Sequence, residues 1–486
     1  MKIIIDDATF SAKTLYYQSL VLLFLPCEKF GEGDDKDTLY IKAFRDNGNN
    51  HVFVKLVVDG CEYSKEDVQV IDESVYAQMK NFIGRTFLKV AVDAFGVLPP
   101  WGISTGVKPV KLARFFVKAL GADEAFNVLC NEYMISPEKA KMAISACMFE
   151  DKLMDNMGEN PFSLYISVPF CPSKCNYCSF VSCTTPKLLS LIPDYVDKLK
   201  RDISLISETS KELNLNLKSV YIGGGTPAIL NERQIDSLIQ CIYSNFADAK
   251  LCEFTFEAGR PDCITFDKLK VLKDYNIPRI SINTQTTNDA VLSSIGRNHN
   301  YADYIRAMEY AKQLSFKCVN TDLIAGLPGE DYASFCKSVI DVANLYPENI
   351  TIHAFTLKKS SNYRVSGKKD YFINDIDALK MTDFASGFLA EKGYNPYYVY
   401  RQKNTTANLE NVGYSITGHE SIYNVIMMSE YHTVFGAGAG SVTKIVTQDG
   451  NKVDRIFSPK YPYEYLDDEK YSGFSKDAVL RIYNER

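Results

Sequence analysis

Apolar positions in the first third of the chain follow two kinds of pattern. Thr38–Phe44 and His51–Val58 are short runs dominated by β-branched and aromatic residues and predict strands, whereas Val110–Leu120 and Pro137–Met148 space their apolar residues helically. An acidic, glycine-containing turn, Gly31–Asp37, precedes the first strand, and Leu98-Pro99-Pro100-Trp101-Gly102 breaks the zone. From Ser163 the pattern becomes regular. Strand-like runs at Leu164–Val168, Ser219–Ile222, Glu253–Glu257, Arg279–Asn283, Cys318–Ile324 and Asn349–Phe355 alternate with helix-length stretches such as Tyr195–Ser207, Glu232–Tyr243, Tyr301–Leu314 and Asp331–Ala343. This alternation predicts an α/β unit of parallel strands joined by right-handed crossovers. Repeats of this kind suit a barrel or partial barrel at least as well as an open sheet, and in both a ligand sits beyond the carboxyl ends of the strands. Beyond Ser360 the pattern is mixed, with a helix near Ile376–Lys392 and a glycine-rich run, Gly436-Ala437-Gly438-Ala439-Gly440. Three domains are expected: an α+β domain over 1–157 without recognisable chemistry, the α/β core over 158–359, and a mixed, partly helical domain over 360–486.

Composition narrows the class. The 486 residues are 46% hydrophobic and 23% charged, which predicts large cores and excludes wholesale disorder. With 54 basic and 60 acidic residues the net charge is −6, so nothing points to a polybasic nucleic-acid binder. Leu20–Leu25, the longest apolar run near the start, is closed by Pro26 and is too short to span a bilayer, and Asp6 and Asp7 interrupt the opening stretch where a secretory signal would need apolar residues. A soluble cytoplasmic protein is expected. Thirteen cysteines, an odd number, argue in that setting against a disulfide framework. Cys27, Cys61, Cys130, Cys147, Cys241, Cys252, Cys263, Cys318 and Cys336 stand alone and read as small buried hydrophobes.

The exception is Cys171-Pro-Ser-Lys-Cys175-Asn-Tyr177-Cys178, which follows the first core strand directly. Three soft thiolates so gathered bind zinc or iron–sulfur. A structural zinc site asks for a second knuckle or a His pair; here the five histidines are scattered, and only Cys183 stands near enough to complete a four-thiolate site. With three protein ligands, one iron of a four-iron cluster stays open to a chelating molecule. Polar groups then recur at successive strand ends: Gly223-Gly224-Gly225-Thr226-Pro227 after the second, Glu257 at the third, Gln285 and Arg297 after the fourth, and Asp322 on the fifth. Strand ends of one barrel converge on a common centre.

The cysteine triplet, with an aromatic before its last member, resembles the signature of the radical S-adenosylmethionine (SAM) enzymes. Together with the strand-end residues, over roughly residues 160–445, it resembles the oxygen-independent coproporphyrinogen III oxidase family. Pro100–Pro109 and Tyr400–Tyr414 are similar to that family's longer branch, the coproporphyrinogen dehydrogenases. The resemblance implies a radical SAM partial (β/α)6 TIM-like barrel flanked by the N-terminal α+β domain and a C-terminal, substrate-covering domain. It implies that Cys171, Cys175 and Cys178 hold a [4Fe-4S] cluster, and that Tyr165, Tyr177, Gly224, Gly225, Thr226, Glu257, Gln285, Arg297 and Asp322 surround SAM. Cluster reduction by a flavodoxin- or ferredoxin-like donor would cleave SAM to a 5′-deoxyadenosyl radical, which takes a β-hydrogen from a propionate of coproporphyrinogen III. Carbon dioxide leaves, an external acceptor takes the remaining electron, and two such events give protoporphyrinogen IX, in anaerobic haem biosynthesis.

Four substrate carboxylates call for cations, and Lys358, Lys359, Arg364, Arg401 and Lys403 are the candidates. Two positions depart from the well-studied oxidases: Phe180 stands where they carry a further Cys, and Ser167 where they carry a His. An aromatic at the Phe180 position is shared with a haem-chaperone branch, although Tyr423-Asn424-Val-Ile-Met427-Met428 lacks that branch's H-N-x-x-Y-W motif. A haem chaperone and a radical SAM enzyme acting on another tetrapyrrole therefore stand as alternatives.

Overall fold

The computed structural model describes residues 1–7, 14–25, 28–31, 36–71, 76–358, 361–365, 375–402, 405–446, 452–471 and 473–485. Its contacts divide the chain into two compact units, one of residues 1–148 with 399–410 and the other of 149–398 with 411–486.

In the first unit, β1 (Lys2–Asp7) runs parallel to β2 (Thr38–Asp46), and β2, β3 (Asn49–Val58) and β4 (Cys61–Gln69) follow as an antiparallel meander. The β2–β3 turn is Asn47-Gly48 with φ of 50° and 86°, the pair of positive values a tight hairpin requires. Every second residue of β3 is buried, and that face meets the helix Tyr76–Phe95 through Met79, Phe82, Ile83 and Phe87. Trp101 is buried in this unit, and its indole donates to Glu410 Oε2 at 2.7 Å. Lys139 Nζ donates to Oε1 of the same carboxylate at 2.6 Å. Gly102 (φ 51°) leaves no alternative residue, since a Cβ there would lie 2.0 Å from the Tyr133 carbonyl oxygen.

The second unit is the predicted α/β core. β5 (Pro161–Val168), β6 (Asn216–Gly224), β7 (Glu253–Gly259), β8 (Arg279–Ile282), β9 (Cys318–Ala325) and β10 (Asn349–Ala354) pair in sequence order, all parallel. Crossover helices such as Ile192–Glu212, Glu232–Asn245, Tyr301–Gln313 and Tyr332–Ala343 cover them. Near-continuous burial along β7 and β8 is what a parallel sheet covered on both faces dictates. These six strands and their helices are the (β/α)6 unit that the sequence pattern predicts. β11 (Asn395–Arg401) and β12 (Glu410–Ser415) extend the sheet beyond β10, while β13 (Thr433–Ala437), β14 (Val442–Val446) and β15 (Val453–Phe457) extend it beyond β5.

The contacts do not set the 360–486 segment apart as composition did, because β13 pairs with β5 residue for residue, from Thr433↔Phe162 to Ala437↔Ile166. The glycine-rich run has its reason here. A Cβ at Gly438 would lie 2.6 Å from the Tyr195 hydroxyl and 2.7 Å from the Ser167 carbonyl, so β13 can approach β5 only with glycine there. Ser167 Oγ donates to the Ala439 carbonyl at 2.8 Å, so the position where the well-studied oxidases carry His is occupied by a buried strap between two strands. Among the described residues no helix is long and apolar enough to cross a membrane.

Candidate radical SAM site

The thiol triplet occupies the loop that leaves β5. Its path is fixed by backbone bonds: Cys171 N donates to Cys183 O (3.1 Å), Cys183 N to Pro169 O (2.9 Å), and Asn176 N to Ile295 O (2.9 Å). Ser173 Oγ and Asn176 Nδ2 donate to the carbonyls of Gly296 and Ser294, which ties the loop to the carboxyl end of the helix Asp289–Ser294 that follows β8. Cys171 and Cys175 are buried and Cys178 is half-buried. Burial pushes the Cys171 and Cys178 thiols up, so binding a metal there displaces protons. Cys183 lends its backbone to the loop; its thiol is also pushed up by burial and by the neighbouring Cys171.

The glycine turn after β6 lies against this loop. Gly225 N donates to Val168 O (2.9 Å), Thr226 N to Phe170 O (2.8 Å), and Thr226 Oγ1 stands 3.4 Å from Cys171 Sγ. A Cβ at Gly225 would meet Phe170 O at 2.6 Å and Cys171 Sγ at 2.9 Å, and Gly224 holds φ at 114°. Backbone groups are therefore brought beside the thiols as closely as the chain allows.

The other predicted residues gather on neighbouring strand ends. Tyr165 and Tyr221 are paired across β5 and β6, and their rings stack at 6.3 Å between centroids. Glu257 follows on β7, partly buried; burial first, then the charge of Asp322, raises its carboxyl to about 8. Asp322 is driven the other way: burial is outweighed by His353, whose Nε2 is 3.7 Å from Asp322 Oδ2, and by Asn320 Nδ2, which donates to Oδ1 at 2.9 Å. Two carboxyls of one site thus favour opposite protonation states. Gln285 sits at φ 75°, strained for a residue with a side chain, and is pinned because its N donates to Asp322 O (2.9 Å) and its carbonyl accepts from Ile324 N (3.0 Å). Arg297 is buried, donates through Nη1 to Asn283 O (3.0 Å) and through Nη2 to the Tyr177 hydroxyl (2.9 Å), and its Nε has no hydrogen-bond partner among the described residues.

Several participants were not singled out from the sequence. His353 and Asn320 set the charge of Asp322, and Asn411 Oδ1 lies 3.2 Å from His353 Nδ1. Tyr423, on the helix Ile422–Ser429, stacks 4.5 Å from Tyr221 and 6.2 Å from Tyr165, which gives a three-ring floor. The helix is held by Glu253 at the opposite, amino end of β7, whose carboxylate accepts from Ile422 N (2.8 Å), Tyr423 N and Ser421 Oγ (both 3.2 Å). No local signal reveals this, because the contact joins residues nearly 170 positions apart.

The candidate substrate cations fare unevenly. Arg401 departs from that expectation: it is buried in the first unit, donates through Nη1 and Nη2 to the carbonyls of Ser104, Gly106 and Asn408 and lies 5.8 Å over the Trp101 ring, so both terminal nitrogens are engaged by backbone, while Nε has no hydrogen-bond partner among the described residues. Lys358 is half-buried, with Nζ 5.8 Å from the ring of the exposed Phe180; burial lowers its ammonium and the nearby Cys178 opposes that. Lys359, Lys403 and the side chain of Arg364 lie outside the described residues.

Residues 165–341 match the family model of the radical SAM superfamily. The chain is 31% identical over 474 residues, 94% of its own length and 93% of the relative's, to the Bacillus subtilis protein named oxygen-independent coproporphyrinogen-III oxidase-like protein HemZ. It is 28% identical to the haem chaperone HemW of the same organism, across 65% of this chain and 84% of that protein. Among solved structures, coproporphyrinogen III oxidase HemN of Escherichia coli superposes with a TM-score of 0.52, at 21% identity, over 68% of this chain and 74% of that one. The fold and the matched segment define a radical SAM protein, a class that works with a [4Fe-4S] cluster and SAM. Within that class, the chain belongs to the oxygen-independent coproporphyrinogen III oxidase family.

The residues present fit those groups. Three thiols stand free of disulfides on one pinned loop, a glycine cradle that one Cβ would fill faces Cys171, and a buried guanidinium N–H has no partner. Among the described residues no three ligand-type side chains converge on a single-ion site.

The raised Glu257 carboxyl gives a measurable signature. Its folded value of about 8 exceeds the ordinary 4.5, so its contribution to stability is complete below about pH 4.5 and is lost as pH rises through about 8. Glu257→Gln cannot ionise. In urea melts of the ligand-free protein the variant should gain on the parent steadily from about pH 5 to about pH 9. A pH-independent difference would show that Glu257 titrates as an ordinary carboxyl.

Proposed function

We propose that this chain is a radical SAM enzyme that oxidatively decarboxylates propionates of coproporphyrinogen III to vinyl groups, giving protoporphyrinogen IX. The observation that carries the reading is the span of the likeness: 94% of the chain, N-terminal unit included, aligns with a protein named oxidase-like, against 65% for the HemW chaperone. Cys171, Cys175 and Cys178 would hold the cluster, and Tyr165, Tyr177, Gly224, Gly225, Thr226, Glu257, Gln285, Arg297 and Asp322 would receive SAM. When bound, the two cofactors supply a carbon-centred radical able to remove a hydrogen atom. The protein's part is to orient and to exclude water. The glycine turn offers backbone carbonyls to an ammonium, Arg297 offers its unpaired N–H to an acceptor, and a protonated Glu257 can donate where ionised Asp322 can only accept. Lys358, beside Cys178, would meet a substrate carboxylate. Each turnover releases one hydrogen atom, one carbon dioxide and one electron, so a flavodoxin- or ferredoxin-like donor and a separate electron acceptor are the expected partners.

Phe180 favours a second reading, haem trafficking, because it exposes 62% of its surface beside the thiols at a position shared with the chaperone branch. Anaerobic incubation with SAM, dithionite and coproporphyrinogen III separates the cases. Vinyl product is the expected result. Tight haem binding without SAM turnover would replace the proposal with the chaperone, and deoxyadenosine without vinyl product would assign another substrate.

A further inference from the structure

Arg260 lies just past the end of β7 and is 3% exposed. One edge of its guanidinium is committed: Nε donates to Asp262 Oδ1 at 2.9 Å and Nη2 to Oδ2 at 2.7 Å. The remaining nitrogen, Nη1, reaches the thiol loop, donating to Ser173 Oγ (2.7 Å), Ser173 O (3.1 Å) and Cys175 Sγ (3.9 Å). His299 Nδ1 lies 3.9 Å from Asp262 Oδ1; burial and the Arg297 charge hold this imidazole down to about 3, so it adds no charge at neutral pH. The ion pair therefore acts as an oriented dipole, its positive end on Cys175 and its negative end on the far side of the guanidinium.

We propose that Arg260 is a tuning residue that acts through Cys175 to raise the midpoint potential at which the cluster accepts one electron. The inference rests on the reading that Cys171, Cys175 and Cys178 hold that cluster. Reduction adds one negative charge to a body already made anionic by its thiolates. A buried cation and an N–H···S bond stabilise the reduced form more than the oxidised one, and hydrogen bonds to the sulfurs are among the factors that set such potentials. The bidentate grip of Asp262 keeps the fork in register and offsets part of its charge.

The experiment compares full-length parent, Arg260→Gln and Asp262→Asn, each reconstituted anaerobically, by iron and sulfide content and by an EPR-monitored potentiometric titration with dithionite as reductant. With iron retained, Arg260→Gln should move the midpoint to a more negative potential. Asp262→Asn keeps the guanidinium but strips its counter-charge, and should move it to a more positive one. Unchanged midpoints, or shifts of the same sign in both variants, overturn the proposal, since a mere strut has no reason to give opposite signs. Where Arg260→Gln fails to keep its iron, Asp262→Asn decides alone, and a midpoint at or below the parent's overturns it. A parent chain that assembles no four-iron cluster removes the cluster reading itself, and its iron content tells that failure apart.

Discussion

Replacing Cys175 by Ala should abolish SAM cleavage while leaving a folded chain. A sulfur lost from a half-formed surface site would weaken binding; a sulfur lost from a set of three leaves two irons without protein thiolates. The loop itself should persist, because it is held by Cys171 N, Cys183 N and Asn176 N and not by the Cys175 side chain. Iron per chain after anaerobic reconstitution, visible absorbance and deoxyadenosine formation would be measured together with a thermal melt of the unreconstituted protein. The expected pattern is loss of the first three with the melt within about 1–2 kcal/mol of the parent, since a buried thiol behaves as a small hydrophobe. Cys183→Ala serves as the contrast: its backbone braces the loop but its sulfur is not one of the three, so iron and cleavage should survive. Loss of iron in Cys183→Ala to the same degree would mean four protein thiolates and no open iron.

Much of this site is legible in the sequence because each of its parts announces itself locally. Strands buried on both faces appear as short apolar runs, a glycine turn or a polar residue stands at the end of most of them, and parallel topology forces those endings to one side. The six core strands accordingly fall where the pattern places them, to within a few residues at either end. Non-local contacts are another matter. The pairing of β13 with β5 joins residues some 270 positions apart, and neither run says which sheet edge it will find. β4 escapes the pattern because it is a polar edge strand: Glu62 and Lys65 make ion pairs with Lys55 and Asp93, and Glu66 lies 3.0 Å from His51 Nδ1, so charge hides its alternation. Arg401 misled for a related reason. A cation at a strand end suggests an anionic ligand, yet the terminal nitrogens of this guanidinium bond carbonyl oxygens that leave no trace in residue identity.

The same kind of hidden pairing governs the N-terminal unit and carries the second large effect. Lys139 and Glu410 are 3% and 2% exposed, and the only other side chain whose bond to that carboxylate is described is Trp101. The Lys139 charge and its bond, aided by the indole, overcome the cost of burial and hold Glu410 below the usual carboxylate range. Lys139→Met removes the counter-charge and leaves a carboxylate that must stay buried unpaired or take up a proton. The expected cost is about 3–5 kcal/mol to this unit at neutral pH. Lowering the pH should narrow the gap between variant and parent. Glu410 contributes stability that is present above its unfolded value and fades as protonation sets in, so the parent loses what the variant already lacks. Trp101 is the chain's only tryptophan, so its fluorescence in urea reports this environment without interference from the barrel. Adding Glu410→Gln to Lys139→Met should recover most of the loss, because a neutral amide can still accept from the indole and no charge is stranded. A double variant as unstable as the single would mean that Lys139 matters for the packing of its stem, and that the ion pair itself adds nothing to the fold.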